Sequence, residues 1–207
     1  MDDRPARPVH AIIPLALLEA MRHLDAPVSE QPTEYEAELA SKRLGTSRTV
    51  AAQIERYAAL AGKGARLETG EVAALLRLAG RRGDAALVFA DAGRRAAAHA
   101  VRSISGLSRA AWRMLPGFAR NRYGFSLVRR AAAGTFGIAV SRDGAKIEAV
   151  ARGLPSAQAT PDGSACSLYG SAVAAMLRRF TDFDGAVMHP ACETSGEPEC
   201  RWHTAGT

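Results

Sequence analysis

The feature that most constrains the fold is a change of hydrophobic period at Gly134. Up to Ala133 the apolar residues recur at helical spacing, and alanine dominates the helices that spacing predicts. Beyond it come short segments of alternating character broken by turn residues. Thr135-Phe136-Gly137-Ile138-Ala139-Val140 predicts a strand, Arg142-Asp143-Gly144 a turn, and Lys146 to Val150 the return strand of a hairpin. A Gly/Pro/Ser-rich loop covers 152–164, and Cys166 to Phe180 predicts a helix with Leu168, Val173, Met176 and Leu177 on its apolar side. Ala186 to His189 and Cys200 to His203 then predict two strands around Thr194-Ser195-Gly196-Glu197-Pro198. Hairpin, helix, hairpin implies an antiparallel sheet covered by helices, so the class expected is α+β with a helical N-terminal two-thirds.

Within that helical part, Val9 to Leu24 predicts a helix with Pro14 in its first turn. Thr33-Glu34-Tyr35-Glu36 is a capping box opening a helix to about Leu44. Ser47 caps the next, which runs to Gly62, and Thr69 another, which runs to Gly80. Asp84 starts a long Ala-rich helix to about Val101, and Gly106 to Leu115 and Phe118 to Ala133 are separated by Pro116. The division expected is a helical extension over 1–80 and an α+β ligand-binding domain over 81–207, packed as one unit.

Charge is spread unevenly. Basic residues number 27 against 21 acidic ones. From Arg77 to Arg130 there are 12 arginines and two acids, Asp84 and Asp91, whereas the first 40 residues carry eight acids against three arginines. Such a field suits an anionic partner for the central segment. No apolar run approaches the roughly 20 residues of a bilayer span, MDDRPARP lacks the basic region followed by an apolar one that is expected of a secretory leader, and three cysteines argue against a disulfide framework. A cytoplasmic location is expected.

Motifs for autonomous catalysis are missing. There is no Gly-x-Gly-x-x-Gly after a strand, no phosphate-binding P-loop around Gly62-Lys63-Gly64, and no Gly-x-Ser-x-Gly elbow. The strongest constellation is His189-Pro190-Ala191-Cys192 and Cys200-Arg201-Trp202-His203, two arms separated by seven residues. Thiolate and imidazole suit Zn²⁺ in a tetrahedral site, and Cys166 at a helix N-terminus can replace one of the histidines. Two other readings stand beside it: buried cysteines acting as small hydrophobes, and a redox-labile Cys192/Cys200 pair. His99 lies three to four residues from Arg95 and Arg102 in the Ala-rich helix. It reads as a core-edge histidine or as an axial ligand to a tetrapyrrole metal. Trp112 and Phe118 flank a helix break and are core residues or walls of an apolar pocket, and the arginines are a solvated face or carboxylate partners.

The segment from Gly185 to Trp202, with Cys192, Gly196-Glu197-Pro198 and Cys200-Arg201-Trp202, resembles the closing signature of the V4R (4-vinyl reductase) domain family. Cys166 matches that family's upstream cysteine. Phe89-Ala90-Asp91-Ala92-Gly93, Leu115-Pro116 and Ala131 to Phe136 resemble its bacteriochlorophyll-biosynthesis J-protein branch. His189 stands where the family commonly carries an acid. The resemblance implies a V4R, trafficking-subunit-like fold built to hold a hydrophobic ligand, here a porphyrin or chlorophyllide. It implies a tetrapyrrole-binding accessory protein that assists pigment-synthesis enzymes. Weaker readings are an 8-vinyl (4-vinyl in older numbering) reductase fed by an external electron donor, and a small-molecule-sensing regulatory module. A flat apolar ring with carboxylates wants an apolar cleft rimmed by arginine, which puts Arg95, His99, Arg102, Trp112 and Phe136 forward as ligand contacts. Cys166, His189, Cys192, Cys200 and His203 are the candidate metal ligands. A homodimer is compatible with this reading. Nucleic acid is disfavoured, because the second helix of the helix-turn-helix-like stretch from Gly45 to Gly80 carries one basic residue, Arg77.

Overall fold

The computed structural model describes residues 7–26 and 44–205. The helix expected from Thr33 to Leu44 lies outside the described residues, apart from Leu44 at its end. Eight helices are present among them: α1 (Ile12–Asp25), α2 (Arg48–Gly62), α3 (Thr69–Gly80), α4 (Ala85–Ser103), α5 (Gly106–Met114), α6 (Gly117–Ala131), α7 (Pro155–Ala159) and α8 (Ser167–Phe180). Two short strands, β1 (Val9–His10) and β2 (Arg66–Leu67), pair antiparallel. The C-terminal sheet holds β3 (Ala139–Asp143), β4 (Lys146–Ala151), β5 (Val187–Ala191) and β6 (Cys200–Thr204), in the order β3-β4-β6-β5 with every pair antiparallel. The α+β architecture read from the sequence is the one observed.

Its centre is α4, which lies between α1 and α8. The buried face of α4 is Val88, Phe89, Ala92, Gly93, Ala96, Ala97 and Ala100, and the small residues let the neighbouring helices come close. Gly93 marks the tightest point. A β-carbon there would collide with the carbonyl oxygen of Leu168 and come within 2.7 Å of the Ser171 side chain. One hydrophobic core continues from α1 through α4 and α8 to the sheet, where Ile138, Ile147 and Trp202 are buried.

Polar groups fix the helix ends. Asp25, at the close of α1, accepts two bonds from Arg82 (2.7 and 2.9 Å) and one from the backbone N–H of Gly45 (2.8 Å). Arg82 also binds Asp84, so the exit of α1 is tied to the entry of α4. Ser47 caps α2 by accepting from Val50 N–H at 3.2 Å.

Several local expectations fail: the stretch 152–164 expected as a loop holds helix α7 at Pro155–Ala159, and Val9–His10, expected to open the first helix, pairs as strand β1 before α1 starts at Ile12. Thr69 does not cap α3: its hydroxyl donates to the Arg7 carbonyl at 2.8 Å, and Glu68 occupies the cap position without a side-chain bond. The first strand of the sheet starts at Ala139, because the alanine run carries helical winding on through a π-turn at Ala132–Phe136.

The Gly93 crossing gives a sign-reversed expectation. Gly→Ala inside a helix ordinarily stabilises by about 1 kcal/mol. Here Gly93→Ala meets backbone on α8 and should instead destabilise by about 1–3 kcal/mol, as overpacking does. Urea unfolding measures it; a midpoint equal to or above that of the parent would mean that α4 and α8 are not in such close contact.

Candidate metal centre and neighbouring cavities

Three elements converge at one point. Cys166 stands at the N-terminus of α8, Cys192 directly follows β5, and Cys200 opens β6. Their sulfurs form a triangle: Cys166 to Cys192 3.8 Å, Cys192 to Cys200 3.8 Å, Cys166 to Cys200 4.0 Å. These separations are far beyond the roughly 2.05 Å of a disulfide, and all three cysteines are free and buried. His189 completes the group: one ligand atom from each of the four residues lies within 4.8 Å of all the others. A Cys₃His set of this kind could hold a metal ion.

Strand geometry decides which histidine joins. In a regular strand, residues three apart point to opposite faces, which would separate His189 from Cys192 and Cys200 from His203. β5 escapes that rule through a bulge: Met188 pairs with His203 and Ala191 with Arg201, so one extra residue sits between them. Pro190, which has no N–H for the ladder, lies in the bulge on an edge strand. The added residue lets His189 and Cys192 reach the same side. β6 has no such bulge. Its Cys200, Trp202 and Thr204 are buried while Arg201 is exposed and His203 only partly covered. His203 is therefore absent from the cluster, which corrects the five-residue set to four.

Electrostatics within the group are unequal. Cys200 is held well below the ordinary thiol range, chiefly by a hydrogen bond from Cys166, with His189, the Glu193 N–H and Cys192 adding to it. The same bond, together with burial, pushes the Cys166 thiol far up. Thr194 donates to the Cys192 sulfur at 3.0 Å, and Ser156 Oγ lies 3.1 Å from the Cys166 sulfur. The His189 ring stacks on Trp202 (centroids 4.8 Å apart, 15° between planes), and its Nε2 is buried with no hydrogen-bond partner. His189 thus brings to the group an imidazole with one buried nitrogen whose hydrogen-bonding capacity is unmet.

The ligand contacts proposed from sequence are not gathered in one cleft. His99 Nε2 lies 2.8 Å from a Glu19 carboxylate oxygen, and Arg102 lies 2.7 Å from His99 Nδ1. Both ring nitrogens are engaged, so neither is free to ligate a tetrapyrrole metal. Arg95 pairs with Asp91 at 2.6 Å. Trp112 packs edge-on against Phe180 and donates its indole N–H to that residue's carbonyl at 3.1 Å. Phe136 lines a partly open cavity of about 70 Å³ shared with Arg7, His10, Arg66, Arg152 and Tyr169.

A larger space takes in Phe118, one of the two aromatics that flank the Pro116 break, but not Trp112. An open groove of about 440 Å³ runs between α6 and β3, lined by Phe118, Asn121, Arg122, Phe125, Arg142 and Asp182. Arg142 stacks over the Phe125 ring at 5.7 Å. The only sequence signal for this groove is the Phe/Arg content of Gly117–Ala131, which helical periodicity alone reads as an amphipathic helix.

Gly163 gives a handle on the cluster without touching a ligand. It sits at φ +70°, and a β-carbon there would come within 2.9 Å of the Cys192 sulfur. Gly163→Ala should displace that sulfur and increase the rate at which a thiol reagent labels the native protein, by roughly tenfold for about 1.4 kcal/mol of lost protection. Unchanged labelling would show that the loop carrying Gly163 does not cover Cys192. The reading of the site rests on its own chemistry, since no family model, curated protein or solved structure matches the chain.

Proposed function

We propose that this chain is a zinc-stapled, tetrapyrrole-handling accessory protein of bacteriochlorophyll synthesis. The observation that carries the reading is the convergence of Cys166, Cys192 and Cys200, the three cysteines on which the V4R resemblance rests, into one buried group with His189. Four tetrahedral ligands about 2.3 Å from a zinc ion place their sulfurs about 3.8 Å apart, and the triangle here has edges of 3.8–4.0 Å. The three sulfurs stand at the spacing the ion requires, and a His189 ring nitrogen lies within 4.8 Å of each of them.

A full set of four protein ligands leaves no open position, and Cys166 and Cys200 are wholly buried. That is the pattern of a structural ion, which contributes folding energy and not a bound nucleophile. Bound zinc would supply a cross-link between α8 and the β5–β6 hairpin. Trp202, stacked on His189 and packed against Tyr169, extends the same rigidity inward.

For the pigment the α6–β3 groove is the better seat. A space of about 70 Å³ beside Phe136 is below the roughly 300–1,000 Å³ of drug-sized pockets. The groove offers Phe118 and Phe125 to an apolar ring and Arg122 and Arg142 to its carboxylates. Asp182 also faces it but is bonded by Asn121 at 3.1 Å.

Two measurements test this. Metal analysis of the purified protein should find about one zinc per chain, and Cys200→Ser should lower that content together with the melting temperature. Absence of zinc from protein refolded with the ion present would remove the staple. Titration of a protoporphyrin or chlorophyllide should shift its Soret band, and Arg122→Glu with Arg142→Glu should weaken binding at least about tenfold, as expected for two lost carboxylate partners. An unchanged pigment spectrum on a zinc-loaded protein would overturn the pigment assignment and leave the metal assignment standing.

A further inference from the structure

The helix α5 is built inside out. A surface helix of this size normally turns its apolar stripe to the core, yet none of its residues is buried. Leu107 and Met114, seven residues apart and so on one face, are 85% and 87% exposed. Phe118, just past the Leu115-Pro116 break, is 85% exposed. The one firm anchor is Trp112, on the opposite side of the helix, which packs against Phe180. Three large apolar side chains at one corner of the fold are thus held out from the core by the helix that carries them.

The stretch of chain that carries them is basic throughout, and Asp182, which lines the α6–β3 groove beside Phe118, is bonded by Asn121. Between Asp91 and Asp143 the chain carries ten arginines and not one acidic residue. Arg113, Arg120, Arg122 and Arg129 are exposed and make no salt bridge among the described residues. Arg113 precedes Met114, and Arg120 and Arg122 follow Phe118 by half a turn and one turn. Arginines beside an exposed apolar stripe are placed to bind anions while the stripe enters an apolar phase.

We propose that the α5–α6 corner docks on an anionic phospholipid surface, with Leu107, Met114 and Phe118 entering the headgroup region and the arginines binding lipid phosphates. No described helix is long and apolar enough to cross a membrane, so the mode is interfacial. Charge complementarity selects this occupant. A nucleic acid would engage the arginines but leave Leu107 and Met114 without a role. A second copy would bring two such basic corners together across a two-fold axis, where like charges repel. An anionic bilayer uses both features. The two surfaces share Phe118 and Arg122, but Leu107, Arg113, Met114 and Arg120 do not line the α6–β3 groove, so variants at those four positions separate this inference from the pigment reading.

The test is co-sedimentation of the full chain with vesicles of phosphatidylcholine alone and of phosphatidylcholine mixed with phosphatidylglycerol. The protein should pellet with the anionic vesicles, should not with the neutral ones, and should be released by salt. Leu107→Glu with Met114→Glu should abolish pelleting. Arg113→Glu with Arg120→Glu should weaken it more than about tenfold, since each basic residue near a charged bilayer is worth roughly a fivefold change in binding. All four positions are exposed, and unchanged circular dichroism and metal content establish that the variants fold. Equal pelleting of the parent and both variants would overturn the proposal, as would no binding to anionic vesicles. So would a dimer that becomes monomeric in the Leu107/Met114 variant, or binding to duplex DNA that the variant leaves intact while vesicle binding is absent.

Discussion

Everything at the C-terminal site depends on how closely α4 and α8 approach. Ala92, Gly93 and Ala96 leave room for the backbone of α8 to settle near Leu168 and Ala172. That contact fixes the height and direction of the first turn of α8, and Cys166 caps this turn. A shift of a single side-chain diameter would carry the Cys166 sulfur out of reach of Cys192 and Cys200, whose positions are set independently by the sheet. The alanine bias that marks the sequence is therefore more than helix propensity. It sets an interaxial distance, and that distance positions a ligand.

Seven of the eight described helices were legible because each carries its own periodic signal or stop, such as Pro14 in a first turn, the Ser47 cap, and Pro116 between α5 and α6, whereas α7, five residues long, is too short to show a period and reads as loop. The sheet order was legible only in outline, since pairing β4 with β6 joins segments about 50 residues apart and leaves no local trace. Thr69 shows the limit of local rules. Its hydroxyl had an equally good partner in Arg7, distant in sequence, and tertiary contact won. Phe136 was assigned to a strand because Thr-Phe-Gly-Ile-Ala-Val alternates, yet the preceding alanines favour continued winding by enough to delay the strand to Ala139.

The Cys₃His group was half legible for a sharper reason. Both arms place a histidine three residues from a cysteine, and strand parity forbids either pair from sharing a face. Nothing in the residue types says which arm will break parity. Only the bulge at Pro190 does, and a proline on an edge strand is the one hint that β5 and not β6 is irregular. Glu19, His99 and Arg102 illustrate the converse. An acid 80 residues away satisfies the histidine, so a candidate ligand becomes part of a hydrogen-bonded seam between α1 and α4.

The two halves of the molecule then divide their tasks by burial. At the Cys₃His group the sulfurs are covered, the donors are already four, and no approach is left for a substrate; such a site can hold structure together but offers nothing to recognise. Recognition needs exposed and unsatisfied groups, and these lie on α5 and α6, where Phe118 and Met114 are open and the arginines outnumber every acid within reach of the sequence. α6 packs on α8, and α8 carries Cys166, so the exposed helices are braced against the same element that the cluster fixes. A loosened cluster would first loosen the end of α8 and, through it, the surface on which α6 presents its phenylalanines and arginines. Rigidity supplied at a buried site thus sets the geometry of an exposed one without any ligand touching both.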